Sequence, residues 1–287
     1  MKVAIAGASG LLGSNWCAAL RNTWNIIPLW HTRMFEYPWL AGVSISLSSM
    51  DELCHFMESS APDLVVNCAA LTNIERCERE PELAELVNAQ IAGNIAAACD
   101  KYGVKLIHIS TDHLFRGDKS FYAENESVCP VNSYGRTKAL GEKLVLDKHS
   151  SALVVRTNFF GNGLDGSVSF SDKIISALQE DREMLLFDDV FYTPIAMSEL
   201  ILKVMQLVNL DVSGIFNVCG TERLSKYEFG LLVASAGGFN LNLLKPTSIN
   251  DRTDLVRRPR DLSLATDKLT KVVAPPLSLD RQISSLW

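Results

Sequence analysis

The sequence contains no run of lysine or arginine, no Cys-x-x-C pair and no Cys/His cluster with the spacing of a zinc site. Its formal net charge is −6 over 287 residues. An acidic chain without basic runs argues against nucleic acid or an anionic membrane as a partner, although a few local arginines could hold phosphates. The seven cysteines are an odd and dispersed set, which indicates reduced thiols in a cytoplasmic protein. We expect no metal site.

Long hydrophobic runs are also missing. No stretch reaches the roughly 20 apolar residues that a membrane-spanning helix needs. The apolar start of the chain is interrupted by Gly7, Ser9 and Gly10, so we interpret it as a first strand and not as a secretory signal. Hydrophobic residues nevertheless make up 47% of the chain, which is enough for a large core.

Short apolar runs alternate with helical patterns in the first half of the chain. The predicted strands are Val3–Ala6, Ile26–Trp30, Leu64–Asn67, Lys105–Ser110 and Leu153–Arg156. The predicted helices between them are Leu11–Asn22, Met50–Ser59, Pro81–Lys101 and Ser133–His149. This alternation predicts an α/β fold with a doubly wound parallel Rossmann sheet, in which ligands bind at the edge formed by the carboxyl ends of the strands.

The second half of the chain is less regular. After Arg156 a glycine-rich loop over 161–166 precedes mixed helix and strand signals. We predict an NAD(P)-binding Rossmann domain over residues 1–160. Residues 161–287 are expected to form mainly a smaller α/β substrate-binding lobe, from which 187–220 return to the first domain.

Three glycines follow the first predicted strand and open the first predicted helix. The physical roles expected of Gly7, Gly10 and Gly13 are a tight turn, close approach of the backbone to a pyrophosphate and close packing of helix on strand. The pyrophosphate would lie on free N–H groups at the helix N-terminus. The pattern predicts a dinucleotide cofactor, with an ordinary glycine-rich turn as the alternative.

The end of the second predicted strand bears on the choice between NADP and NAD. No acidic residue that could bind the ribose 2′-hydroxyl of NAD appears before Glu36, whereas His31 and Arg33 could accommodate a 2′-phosphate. A solvated surface arginine explains the same residues. We favour NADP and leave NAD open.

Two further strand ends lie where an adenine and its ribose would rest. Ser46 and Leu47 lie at the next strand end after Ile26–Trp30, and Ala69, Ala70 and Leu71 follow Leu64–Asn67. Small alanines permit close approach of a ligand to the backbone. Plain helix packing explains them equally.

Tyr134 and Lys138 lie four residues apart on a predicted helix and therefore share one face. The ammonium stabilises phenolate, lowers the pKa of the tyrosine from about 10 and makes the phenol a proton donor or acceptor near neutral pH. Thr111 directly follows the predicted strand Lys105–Ser110, where a hydroxyl can bind a substrate carbonyl. Asp112 either holds a sugar hydroxyl or caps a turn. With the glycine turn, this set predicts carbonyl–alcohol redox chemistry.

Several longer segments resemble a known family. GASGLLG at the start, the segment over 62–89, HISTDHLFRGD at 108–118 and SYGRTKALGEK at 133–143 are similar to the extended short-chain dehydrogenase/reductases, and within them to the dTDP-4-dehydrorhamnose reductase family. Weaker matches at 156–163, 187–200 and 257–264 extend the resemblance over most of the chain. It implies reduction, by NAD(P)H, of the 4-keto group of a nucleotide-linked 6-deoxy sugar. A homodimer is the assembly that the resemblance implies.

The resemblance also implies roles for individual residues. The cofactor contacts that it implies are Gly10, Leu11, Leu12, Trp30, Ser46, Leu47, Ala70, Leu71, Thr72, Tyr134 and Lys138. The substrate contacts that it implies are Thr111, Asp112 and Phe159. Arg258, with Arg257 and Arg260, could clamp a substrate diphosphate, and a solvated arginine surface is the alternative.

Departures from the family pattern concern the sugar more than the chemistry. His113 stands where the family usually has tyrosine, and Phe159 where it has tryptophan. Related dehydratases usually carry Thr-Asp-Glu after the strand, and His113 occupies the place of that glutamate, which disfavours dehydration. The alternatives to the reductase are a nucleotide-sugar epimerase or dehydratase, and a non-catalytic regulatory subunit like the β subunit of methionine adenosyltransferase.

Overall fold

The computed structural model describes residues 1–30, 42–164 and 166–287. The described strands are, in chain order, β1 (Lys2–Ala6), β2 (Asn25–Trp30), β3 (Val43–Ser44), β4 (Leu64–Asn67), β5 (Lys105–Ile109), β6 (Leu153–Arg156), β7 (Phe159–Phe160), β8 (Met184–Phe187), β9 (Phe191–Tyr192), β10 (Ile195–Ala196), β11 (Gly214–Asn217), β12 (Leu224–Ser225) and β13 (Leu244–Thr247).

Helices connect most of these strands. The described α-helices are α1 (Leu11–Leu20), α2 (Met50–Ser60), α3 (Ile74–Arg79), α4 (Pro81–Glu85), α5 (Ile91–Tyr102), α6 (Ser133–Lys148), α7 (Phe170–Gln179), α8 (Met197–Asn209), α9 (Lys226–Ala236), α10 (Asp267–Thr270) and α11 (Leu279–Ile283). A π-helical turn spans Leu86–Gln90. Short 3₁₀ turns span Leu241–Leu243, Ile249–Asp251 and Ser284–Leu286. None of the helices in the described ranges combines the length and the apolar character that crossing a bilayer requires.

Seven strands form one sheet in the order β11-β6-β5-β4-β1-β2-β3. Strand β1 pairs in parallel with β2 on one side and with β4 on the other, and β4, β5 and β6 continue the parallel pairing. The chain order reverses between β1 and β4, which is the point where doubly wound sheets bind ligands. The predicted fold class, α/β with a doubly wound parallel sheet, is confirmed.

The five predicted strands form within one residue of their predicted ends, but one predicted helix is interrupted. The helix expected over Pro81–Lys101 consists of α4, the π-helical turn and α5. A π-helical turn inserts a wider turn into an α-helical pattern, and the hydrophobic spacing of the sequence does not reveal it.

The chain divides into two compact units. The first comprises Met1–Thr111, Asn132–Val155 and Asp211–Phe216, and the second comprises Asp112–Val131, Arg156–Leu210 and Asn217–Trp287. In the first, Leu53 and Ile95 from the helices are buried with Leu29 and Val154 from the sheet. In the second, Phe229 of α9 lies at the centre of an aromatic core and contacts the rings of Phe160, Phe170 and Tyr192.

This division differs from the predicted domain ranges in three places, the first being residues 156–160, which we expected in the Rossmann domain and which belong to the second unit. Asp112–Val131 belong to the second unit because the chain leaves the sheet directly after β5. Of the range 187–220, which we expected to return to the first domain, only Asp211–Phe216 do so. The reason is strand pairing: β11 joins the sheet beside β6, whereas β8 pairs with β13 in the second unit.

Candidate active site

The glycine-rich turn after β1 has the close contacts expected of a dinucleotide-binding turn. Gly7 has a φ of +78°, and a Cβ there would lie 2.7 Å from the backbone nitrogen of Ala69. A Cβ on Gly13 would lie 2.2 Å from the carbonyl oxygen of Gly7. Neither position accepts a side chain without a shift of the backbone. Gly10 precedes α1 with extended backbone and without a side-chain cap, so the helix N-terminus is open to an anion.

A cleft of about 370 Å³ lies beside this turn in the first unit. The predicted cofactor residues that line it are Gly7, Gly10, Leu47, Ala69, Ala70 and Leu71. The lining residues that the sequence analysis missed are Ser9, Ser48, Cys68, Arg76, Leu83, Leu86, Val87 and Ile91. A glycine cradle at a helix N-terminus, next to aliphatic walls, fits a dinucleotide, with its pyrophosphate at the turn and its adenosine among the apolar side chains.

Other predicted cofactor residues do not line this cleft. They are Leu11, Leu12, Gly13, Trp30, Ser46, Thr72, Tyr134 and Lys138. Trp30 is buried and Thr72 is exposed. The hydroxyl of Ser46 lies 3.0 Å from that of Ser48, which does line the cleft. Arg33, on which the preference for NADP rests, lies outside the described residues.

Lys138 is buried at the carboxyl end of β5, with 2% of its surface exposed. Its ammonium donates a 2.7 Å hydrogen bond to the carbonyl oxygen of Ile109, the last residue of that strand. Burial lowers the pKa of Lys138 to about 8, and the nearby Glu142 and Cys68 oppose that shift. Because Thr111 follows Ile109 by two residues, the cation lies at the strand end from which Thr111 emerges.

Two side chains hold the start of α6, the helix that carries the predicted catalytic pair. The amide oxygen of Asn132 accepts a 2.9 Å hydrogen bond from the N–H of Gly135. The carboxylate of Glu78 accepts a 2.8 Å bond from the N–H of Ser133, and this bond is the main reason that the pKa of Glu78 is lowered. The first turn of the helix, where the tyrosine lies, therefore has little freedom to move.

Thr111 and Tyr134 both belong to the first unit, as Lys138 does. Thr111 is buried, with 4% of its surface exposed, and Tyr134 is 9% exposed. Tyr134 packs against Cys77 and Ala84. The structure thus places the tyrosine and the lysine on one well-anchored helix and brings the lysine to the strand end that leads to the threonine.

Asn88 fastens α6 to the wall of the cofactor cleft. Its amide nitrogen donates to the hydroxyl of Thr137 at 3.0 Å and to the carbonyl of Leu71 at 3.1 Å, and its amide oxygen accepts a 2.7 Å bond from the N–H of Leu71. Asn88 lies in the π-helical turn, a feature that is frequent at functional sites. The sequence analysis did not single it out, although it belongs to the family-like segment 62–89.

His108 supports the same strand end from inside the sheet. Its Nδ1 lies 3.1 Å from the amide nitrogen of Asn67, whose oxygen accepts a bond from the N–H of Ala69 in the cleft wall. Burial, with a smaller effect of the Lys138 charge, lowers the pKa of His108 well below its usual value. The imidazole is therefore neutral, and its Nδ1 accepts the hydrogen bond.

Asp112 and Phe159, the predicted substrate contacts after Thr111, belong to the second unit. Asp112 is buried, and its carboxylate accepts a hydrogen bond from the side-chain amide of Asn158. His113 Nε2 lies 4.0 Å from the Asp112 carboxylate. Burial lowers the pKa of His113 in spite of that carboxylate. Phe159 is half-buried at the start of β7.

Arg258 lines a cavity of about 520 Å³ in the second unit, which we call the arginine cavity. Its arginines are Arg116, Arg252, Arg257, Arg258 and Arg260. One wall is a loop in which the hydroxyl of Tyr122 accepts 3.0 Å hydrogen bonds from the N–H groups of Gly117 and Asp118. Guanidinium groups bind phosphate oxygens in a bidentate manner, so the cavity suits a diphosphate.

No group of three or more His, Cys, Asp or Glu side chains in the described part of the chain is arranged to hold a metal ion.

A family model described as the RmlD substrate binding domain matches residues 1–283. Among curated proteins, a probable low-salt glycan biosynthesis reductase, Agl14, from Haloferax volcanii is 31% identical over 263 residues, which are 89% of this chain and 87% of that protein. A dTDP-4-dehydrorhamnose reductase from Escherichia coli is 29% identical over 233 residues, 77% of each chain. Methionine adenosyltransferase 2 subunit beta from Pongo abelii is 28% identical over 291 residues, 93% of this chain and 81% of that protein.

A solved structure with a similar fold also matches the chain. The crystal structure of dTDP-4-dehydrorhamnose reductase from Bacillus anthracis in complex with NADP superimposes with a TM-score of 0.89 at 25% identity, and the match covers 99% of this chain and 98% of that one. The resemblance drawn from the sequence motifs is confirmed.

Proposed function

The chain belongs to the RmlD substrate binding domain family, and from this premise we propose that it is an NADP-dependent reductase of a nucleotide-linked 4-keto-6-deoxy sugar. Its relatives include reductases, and a similar solved protein binds NADP, so an NAD(P)-dependent oxidoreductase is the reaction class. The product would be dTDP-L-rhamnose or a related deoxysugar nucleotide.

The observation that carries the proposal is the position of Lys138. A buried ammonium bonded to the carbonyl oxygen of Ile109 stands at the strand end that leads to Thr111, one helical turn after Tyr134. Burying a charge is costly unless it is paired and hydrogen-bonded, and ionisable groups kept buried at such a cost cluster at functional sites. Stabilising the anion that a tyrosine becomes when it gives up a proton is a functional role of this kind.

The proposed reduction assigns a step to each of these side chains. Bound NADPH supplies the hydride that reduces the carbonyl carbon. Tyr134 gives its phenolic proton to the carbonyl oxygen, and the Lys138 ammonium stabilises the resulting phenolate until solvent returns a proton. The Thr111 hydroxyl donates a hydrogen bond to the same carbonyl oxygen and orients it. Proton donation of this kind contributes about 10²–10⁴-fold to a rate.

The second unit supplies the groups that recognise the rest of the substrate. We propose that Arg258 and the arginine cavity hold the diphosphate. Asp112, kept in place by Asn158, would accept hydrogen bonds from sugar hydroxyls, and the half-buried face of Phe159 would cover the sugar ring. The homodimer and the cytoplasmic location remain predictions.

A second candidate is a regulatory subunit that binds a dinucleotide without turning over substrate, because a methionine adenosyltransferase subunit is among the relatives. The buried lysine argues against it. A subunit that only binds a dinucleotide could use this ammonium for the cofactor, but it has no need of a tyrosine on the same helix face and a threonine at the strand end.

The test is oxidation of NADPH by the purified chain with a panel of dTDP-, GDP- and CDP-linked 4-keto-6-deoxy sugars. We expect turnover with at least one member of the panel, and a loss of about 10²–10⁴-fold in kcat/KM for Tyr134→Phe. Tyr102→Phe is the matched control, because Tyr102 lies in the same unit and its hydroxyl donates a hydrogen bond to the exposed Glu58 side chain. Absence of turnover by the wild type, or unchanged turnover by Tyr134→Phe, would overturn the proposal.

A further inference from the structure

Lys226 is the first residue of α9, and its side chain reaches into the aromatic core of the second unit. Its ammonium lies 3.2 Å from the centre of the Tyr192 ring and 5.1 Å from that of Phe170. A capping box fixes the start of the helix, since Ser225 accepts a bond from the N–H of Glu228 and the Glu228 carboxylate accepts one from the N–H of Ser225. The direction of the lysine is therefore set by the fold.

The side-chain polar groups of this pair make no hydrogen bonds to the residues that the structure describes. Over the ranges that the structure describes, the Lys226 ammonium donates no hydrogen bond, and the buried hydroxyl of Tyr192 has no partner. Burial lowers the pKa of Lys226 to about 7, although the Asp112 carboxylate opposes the shift. The aromatic rings and the Asp112 charge offset part of the cost of placing a lysine here, and the unpartnered hydroxyl of Tyr192 adds to that cost.

The neighbours of this pair are the groups to which we assign the substrate. Asp112 acts electrostatically on both Lys226 and Tyr192, and it follows Thr111 directly along the chain. The charge of Arg258 acts on His113, beside Asp112, and Arg258 also lines the arginine cavity. Within the second unit, Asp112 is therefore within electrostatic range of the Lys226 pair, and His113, 4.0 Å from Asp112, is within range of Arg258 in the arginine cavity.

We propose that Lys226 and Tyr192 bind the sugar ring of the substrate and decide which sugars are accepted. The ammonium donates hydrogen bonds to ring hydroxyl oxygens, and the Tyr192 hydroxyl satisfies its hydrogen-bonding capacity on the same ring. A neutral deoxysugar suits the pair, whereas a protonated amino sugar is repelled by the lysine. This inference rests on the proposed function, because it takes the substrate to be a nucleotide sugar.

The test compares binding of dTDP with binding of dTDP-L-rhamnose by calorimetry, with the protein saturated with NADP. Lys226→Met and Tyr192→Phe are compared with Lys245→Met, which removes an exposed lysine of the same unit. For Lys226→Met we expect at least tenfold weaker binding of dTDP-L-rhamnose and dTDP binding within twofold of the wild type. Tyr192→Phe should act in the same direction with a smaller change, and Lys245→Met should change neither.

The outcomes separate this inference from the function on which it rests. If the wild type binds dTDP-L-rhamnose and Lys226→Met weakens both ligands equally, or neither, the inference is wrong and the reductase proposal stands. An equal loss for both ligands would indicate a structural role, since a collapsed pocket does not distinguish the sugar from the diphosphate. If the wild type binds neither ligand and reduces no nucleotide sugar, the proposed function itself fails.

Discussion

Each unit contains a lysine whose pKa is lowered by burial of its ammonium, and these two lysines are held differently. In the first unit the Lys138 ammonium donates a 2.7 Å bond to the carbonyl oxygen of Ile109. In the second unit the Lys226 ammonium lies over the Tyr192 ring, and no acceptor for it occurs among the residues described. Burial lowers the pKa of both, to about 8 and about 7.

The difference indicates two kinds of site. Lys138 has an internal partner that fixes its position before any ligand arrives, which suits a group that must stabilise charge during a reaction. Lys226 has donor hydrogens to spare, which suits a group that completes its hydrogen bonds on a ligand. The first unit thus prepares the chemistry, and the second leaves polar groups open for recognition.

Replacing Lys138 and Lys226 in turn by methionine should give the largest difference in kinetics between the two units. Lys138→Met is expected to lower kcat by about 10²–10⁴-fold, because it removes the charge that stabilises the Tyr134 phenolate. Lys226→Met should instead raise KM for the sugar nucleotide and leave kcat within a few-fold. Steady-state kinetics with NADPH measures both, and a loss of kcat at Lys226 with none at Lys138 would reverse the assignment.

The pH dependence of the free energy of unfolding tests whether Lys138 is buried and desolvated. Its pKa is about 8 in the folded protein and near 10.4 in an unfolded chain, so between these values the unfolded state binds more protons and the free energy of unfolding rises with pH. The wild type should therefore gain up to ~3 kcal/mol relative to Lys138→Met between pH 7.5 and pH 10. Urea unfolding at each pH measures the difference. A difference that stays flat over this range would show that the lysine is not held in the buried, desolvated state described here.

Asn88→Ala tests whether the hydrogen bonds between α6 and the wall of the cofactor cleft are needed for stability and for NADP binding. The substitution leaves the backbone N–H of Leu71 without its partner and leaves its carbonyl with the Cys77 thiol alone, so we expect ~1–3 kcal/mol lower stability and weaker NADP binding. Asn22→Ala, at an exposed position of the same unit, is the control. If the variant is less stable but binds NADP as tightly as the wild type, Asn88 supports the fold and not the cofactor cleft.

Arg258→Ala should give the smallest effect, confined to the second unit. Loss of one guanidinium from the arginine cavity is expected to raise KM for the nucleotide sugar about tenfold, equal to ~1.4 kcal/mol, with NADP affinity unchanged. Arg281→Ala removes an exposed arginine of the same unit and serves as the control. Equal KM values for the two variants would show that the diphosphate binds elsewhere.

The first unit could be predicted from the sequence far more completely than the second. Its strands and glycine turn carry local signals, and the spacing of Tyr134 and Lys138 is itself local. Leu86–Gln90 escaped prediction because a π-helical turn has no hydrophobic period of its own. Asn88 escaped because its partners lie 17 and 49 residues away.

The second unit is assembled from segments that are distant in the chain. The arginine cavity is lined by residues from 116–118 and from 249–260. Lys226 contacts Tyr192, which lies 34 positions earlier in the chain. No local pattern predicts such contacts. Arg258 could be proposed only from the resemblance and from its neighbouring arginines, and Lys226 was not singled out at all.

The most direct test of the central claim is transfer of deuterium from NADPH labelled at C4 of its nicotinamide, on each face in turn, to the sugar. For one labelled face, we expect one deuterium per product molecule at C4 of the sugar, located by mass spectrometry and NMR. For Tyr134→Phe we expect the same label at a rate about 10²–10⁴-fold lower. Product without deuterium from either face, or no product from any 4-keto sugar nucleotide, would contradict that claim.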